Sequence, residues 1–92
     1  MTLLELKWTS QFKRDLKLAI KCGLPMHLMD AVILILREQK PLDAKYRDHE
    51  LSGEYNGLRE CHIQNNWLFV YRVDKGSLVL IATRTGAHSD LF

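Results

Sequence analysis

The sequence is poor in the features that mark specialised protein classes. Its 92 residues include only two cysteines, Cys22 and Cys61, too few for a disulfide scaffold. Five glycines and two prolines exclude collagen-like and low-complexity chains. The longest purely apolar run, Ala31 to Leu36, is six residues. A membrane span needs ~20, so none is expected. Residues 1–7 lack a basic start, a sustained apolar stretch and a small-residue cleavage site, so they do not read as a signal peptide. A reducing cytoplasm is the expected compartment, with both cysteines as free thiols. There is no internal repeat, no glycine-rich phosphate loop, no Walker sequence and no Gly-x-Ser-x-Gly elbow.

What is present suits one small globular domain spanning residues 1–92. Hydrophobic residues make up 47% and charged residues 26%, enough for a single modest core. The net charge of +2 is weakly informative. Residues 1–46 carry eight Lys/Arg against five Asp/Glu, and residues 47–92 five against six. The basic excess sits mostly in Lys13, Arg14, Lys17 and Lys21, which reads either as a solvated helix face or as a phosphate-facing stripe.

Residues 3–8 alternate as a strand would. Thr9 or Ser10 supplies an N-cap. Phe12, Leu16, Ala19 and Ile20 then form one apolar stripe on a helix that stops at Gly23. Pro25 opens a second helix to about Glu38, and the short turn between the two predicts a hairpin. Residues 40–56 read as an ordered loop with one possible helical turn. Three strands follow, over about 57–63, 67–73 and 78–84, with Asp74-Lys75-Gly76 as a hairpin turn in which the glycine takes positive φ. The middle strand is apolar on both faces and belongs at the centre of a sheet. The predicted architecture is α+β: strand, two-helix hairpin, then antiparallel meander, with both helices on one sheet face. Leu91 and Phe92 predict a docked C-terminus.

Chemistry concentrates in the second half. Of four histidines, His27 lies apart, near the start of the second helix, and reads as a surface or capping residue. His49, His62 and His88 occupy the loop, the first meander strand and the segment after the last strand. Strand alternation puts Glu60 and His62 on one face and Arg59, Cys61 and Ile63 on the other. Since Cys61 and Ile63 suit the core, His62 points to the face the helices leave open. A meander can bring all three histidines to that face. Imidazole both gives and takes protons near neutrality, so two of them flanking a phosphodiester suffice for metal-free RNA cleavage. One would take the proton of a ribose 2′-hydroxyl and the other would protonate the departing 5′-oxygen. The phosphorane charge needs a fixed cation, with Arg84 the first candidate and Arg59 the second. Lys45 and Arg47 could hold flanking phosphates. Trp67 and Phe92 are open to base stacking or to packing. A three-histidine zinc site is the rival use of the same residues. The adjacent Cys61-His62 pair is a poor metal motif, because strand neighbours point to opposite faces.

The run Asp48-His49-Glu50-Leu51-Ser52-Gly53-Glu54-Tyr55-Asn56-Gly57-Leu58-Arg59-Glu60-Cys61-His62 and the closing Arg84-Thr85-Gly86-Ala87-His88-Ser89-Asp90-Leu91-Phe92 closely resemble the YafQ branch of the RelE-type bacterial toxins. The resemblance implies a RelE-like microbial RNase fold and a type II toxin–antitoxin endoribonuclease. It implies entry into the ribosomal A site, on the 30S subunit against 16S rRNA, and cutting of the mRNA there without a metal or other cofactor. The cut would leave a 2′,3′-cyclic phosphate, or its opened form, and a 5′-hydroxyl. Its implied partner is a ribbon-helix-helix, DinJ-like antitoxin, through which alone operator DNA would be bound. By position, the family's active-site histidines fall on His49, His62 and His88, its aromatic after the turn on Trp67 and its terminal aromatic on Phe92. Where an aspartate commonly precedes that tryptophan, this chain has Asn66, which cannot take a proton but can hydrogen-bond substrate or a histidine. His88 is expected as the acid and His49 or His62 as the base. The alternative from another class is a RelE-fold module that binds antitoxin or RNA without cutting.

Overall fold

A computed structural model describes residues 2–91. Thr9 caps the first helix, α1 (Ser10–Lys21), its hydroxyl accepting from the Phe12 amide at 3.0 Å. Gly23, at φ +78°, ends it, since a left-handed residue after the last turn lets the final carbonyls be satisfied. The second helix, α2 (Met26–Arg37), starts after Pro25 as expected. Both helices cover one face of a five-stranded sheet. Its strands are β1 (Glu5–Trp8), β2 (His49–Glu50), β3 (Arg59–Gln64), β4 (Trp67–Asp74) and β5 (Val79–Gly86), in spatial order β1-β5-β4-β3-β2. The apolar β4 is thus central. A short helix, α3 (His88–Leu91), closes the described chain.

The main core lies between helices and sheet: Phe12, Met29, Val32 and Leu36 meet Cys61, Ile63, Trp67, Phe69, Tyr71, Leu80 and Ala82. The Phe12 ring stands edge-on to Phe69 with centroids 5.9 Å apart, and Phe69 stacks on Tyr71 at 5.4 Å. Burial pushes the Cys61 thiol up to about 12, with Asp48 and Glu60 adding to the effect. Cys61 is fully buried and Cys22 exposed. A disulfide-exchange reagent at neutral pH should therefore titrate one thiol per native chain and two in denaturant. Two fast-reacting thiols in the native protein would contradict this packing.

Several expectations change. Ile20, assigned to the buried stripe of α1, is 56% exposed, because that stripe narrows to Phe12, Leu16 and Ala19. The positive φ of the β4–β5 turn falls on Leu78 (φ 56°), not on Gly76. The turn is instead tied by the Asp74 carboxylate, which accepts from the Ser77 amide. The loop over residues 40–56 contains two 3₁₀ turns, Ala44–Tyr46 and Gly53–Tyr55, and the edge strand β2. The face opposite the helices is not wholly bare. Leu91 of α3 and the loop residues Leu51 and Leu58 pack on Leu68 and Val70 there, making a second, smaller core. Phe92 lies outside the described residues, so its expected stacking or docking role gains no structural account.

Candidate active site on the open sheet face

Strand register builds the site. His49 pairs with Glu60 across β2 and β3, Glu60 with Val70, and Val70 with Arg84. Two residues along, His62 pairs with Leu68, and Leu68 with Gly86. Directly paired residues share a face, so His49, Glu60, His62 and Arg84 all start from the face that carries Leu68 and Val70. At ~4.8 Å per strand, His62 and Gly86 lie about 10 Å apart, and His88 follows two residues after Gly86.

Glu60 is the hub. Its Oε1 is 3.6 Å from His49 Nε2 and 3.9 Å from His62 Nε2, and its side chain is 7% exposed. His49 Nδ1 lies 2.7 Å from the carbonyl oxygen of Arg47. A carbonyl only accepts, so Nδ1 carries the hydrogen and Nε2 is the nitrogen left to exchange a proton. Glu60 was legible as a face-mate of His62 two residues earlier. Nothing local showed that it would be the carboxylate between two imidazoles, because His49 arrives through the pairing of a two-residue edge strand.

Arg84 reaches round the sheet edge. β1 pairs with β5 only as far as Ala82, and beyond it Asp15 of α1 takes the place of a strand neighbour. The Asp15 carboxylate accepts from the Thr85 amide at 3.2 Å and from Arg84 Nε and Nη2 at 2.7 and 3.2 Å. Burial alone would raise the Asp15 carboxyl. The bonds from Arg84, Gln11 and the Thr85 amide outweigh it and hold the carboxyl below its usual range. The guanidinium of Arg84 is raised in turn by the Asp15 bond, so it stays charged and fixed. A register shift between Val70 and Tyr71 leaves Thr83 as the extra residue that turns Arg84 to this face.

Other expected site residues fall elsewhere. Arg59 is on the helix side, with Nη2 2.9 Å from Asp48 Oδ2 and Nη1 3.4 Å from Glu50 Oε1, so it does not face the histidines. The Tyr71 hydroxyl also donates to Asp48, and the Asp48 bond raises the Arg59 guanidinium further. Trp67 is 2% exposed and donates from Nε1 to the Thr85 hydroxyl at 2.9 Å, so it packs the core and cannot stack on a base. Asn66 is exposed on the β3–β4 turn. Lys45 and Arg47 are exposed and border a cavity that also touches His62. A cavity of about 690 Å³ includes Arg59 and Tyr71 and none of the three histidines. Among the described residues no three His, Cys, Asp or Glu side chains converge to hold a metal ion. No helix among them is long and apolar enough to cross a membrane.

Residues 4–92 match the family described as the bacterial toxin of type II toxin–antitoxin system, YafQ. The mRNA interferase toxin YafQ of Escherichia coli (strain K12) is 33% identical over 90 residues, covering 96% of this chain and 95% of that protein. A crystal structure of metal-bound toxin from Helicobacter pylori aligns with TM-score 0.92 and 37% identity, covering 98% of this chain and all of that one. The toxin in the E. coli DinJ–YafQ toxin–antitoxin complex aligns with TM-score 0.88 and 31% identity, covering 98% of each chain. Coverage this complete extends to both motifs that carry the histidines, and the chain belongs to the YafQ family of type II toxin–antitoxin toxins.

Proposed function

We propose that this protein is an endoribonuclease that cuts mRNA in the ribosomal A site by acid–base catalysis and is neutralised by a DinJ-like antitoxin. The observation that carries the reading is Glu60, nearly buried between the Nε2 atoms of His49 and His62. His49 Nε2 takes the proton of the ribose 2′-hydroxyl, and the Glu60 carboxylate stabilises the imidazolium that forms. The 2′-oxygen attacks phosphorus, and the bond to the 5′-oxygen breaks. His88 gives its proton to that leaving oxygen. The products are a 2′,3′-cyclic phosphate and a 5′-hydroxyl. Arg84, already held by Asp15, offers a cation to the phosphorane without having to be ordered during the reaction.

The metal-bound H. pylori relative favours a second reading, in which the same histidines hold a metal. The described side chains do not fit it as they stand. Primer extension on cellular mRNA after induction tests the proposal. Growth arrest, rescue by the antitoxin and new 5′-hydroxyl ends within codons are expected. In a purified translation mixture, cutting should persist after a transition-metal chelator is added at fixed free Mg²⁺. Loss of cutting on chelation would select the metal reading, and harmless expression without new ends would overturn the nuclease.

A further inference from the structure

A cavity of about 310 Å³ adjoins the site on the side of His62. Besides His62, its lining is apolar or aromatic at Leu28, Tyr46 and Ile63, basic at Lys45 and Arg47, and amide at Gln64 and Asn65. Among the described residues no carboxylate lines it. Two other cavities do carry carboxylates, Glu50 in one and Asp15 with Asp90 in the other. The site therefore suits an anion bearing a flat, hydrogen-bonding group. Lys45 Nζ stands 5.1 Å from the Tyr46 ring centroid, so a cation already samples that ring face from outside. Each amide side chain offers an acceptor and two donors, the complement of a base edge. Gln64 is also set off from strand alternation. The register shifts between His62 and Gln64, and such a bulge re-aims the side chains beside it.

We propose that this cavity is the subsite for the nucleotide immediately upstream of the cut, and that Gln64 and Asn65 read its base. The assignment rests on the nuclease reading above, in which the His49–Glu60–His62 end of the site takes the 2′ proton. The cavity touches His62, and Lys45, Tyr46 and Arg47 in its lining come from the turn just before His49. It therefore lies beside the nucleotide that supplies the attacking oxygen, at the free edge of β3, and Gln64 and Asn65 also border the cavity that reaches Ala87 and Asp90. Lys45 and Arg47 meet the phosphate and serve all four nucleotides alike, while the amides discriminate among them.

The test uses the four 3′-nucleoside monophosphates as probes of the full-length protein. NMR titration should move the side-chain amide signals of Gln64 and Asn65, with one base bound about tenfold tighter than the weakest. Gln64 ends β3, Asn65 begins the turn and both are exposed, so Gln64→Ala and Asn65→Ala should fold normally. They should level the four affinities and equally level the base preference upstream of cuts in ribosome-bound mRNA. Lys45→Ala and Arg47→Ala should weaken all four probes together. Amide signals unmoved by every probe would overturn the subsite. If wild-type protein cuts mRNA and the amide variants keep its base preference, the subsite falls and the nuclease reading stands. If wild-type protein cuts nothing, both fall.

Discussion

His88→Ala should lower the rate of mRNA cutting by about 10²–10⁴, the usual contribution of a positioned general acid. The position of His88 sets this expectation. His88 opens α3, a single turn whose Leu91 is seated on Leu68 and Val70. That seat fixes the turn over the open face, across β4 from the His49–Glu60–His62 group. A generic loss of activity would not identify the role, so the decisive comparison uses the leaving group. An mRNA carrying a 5′-bridging sulfur at the scissile phosphate expels a thiolate, which needs little help from an acid. His88→Ala should recover most of its lost rate on that substrate. A variant at the other end of the site, Glu60→Gln, should recover nothing, because it impairs the attacking side. Equal defects of His88→Ala on both substrates would remove His88 from the acid role.

Trp67→Ala should destabilise the fold by about 3–5 kcal/mol, read as a lower urea midpoint at unchanged slope. The indole is nearly fully buried among the residues that separate helices from sheet. It also starts a short relay: Trp67 Nε1 donates to the Thr85 hydroxyl, which donates to the Leu68 carbonyl at 2.8 Å. Truncation leaves a cavity and removes the donor from a buried hydroxyl. Trp67→Phe refills most of the volume but not the bond, so it should cost less and keep cutting. A Trp67→Ala protein of native stability that has lost only RNA binding would restore the stacking role.

Much of this arrangement was legible from period-two alternation. Cys61 and Ile63 suit a core, so Glu60 and His62 had to face away, and the apolar β4 had to be central. Pro25 and Gly23 marked the helix boundaries through backbone chemistry alone. What escaped depends on partners far apart in the chain. Parallel pairing of β1 with β5 leaves no local pattern. Neither does the replacement of a strand neighbour by Asp15, which joins residues 69 positions apart to Arg84. Arg59 was legible on the helix side, because alternation groups it with Cys61 and Ile63, but its grip on Asp48 was not. Trp67 was open to stacking or to packing, and its burial and its bond to Thr85 put it in the core. Gly76 missed its conformation because Asp74 and Leu78 share the work of turning the chain.

The attachment of β2 bears on how such a toxin loses its potency. The histidine-bearing ledge is two residues long and hangs on Asp48, which Arg59 and Tyr71 grip from the layer beneath. A change in that grip leaves the sheet paired yet lets a reactive ring drift. Escape variants selected in a population under self-poisoning should therefore accumulate in the interior behind the sheet, and not solely among the side chains that meet RNA.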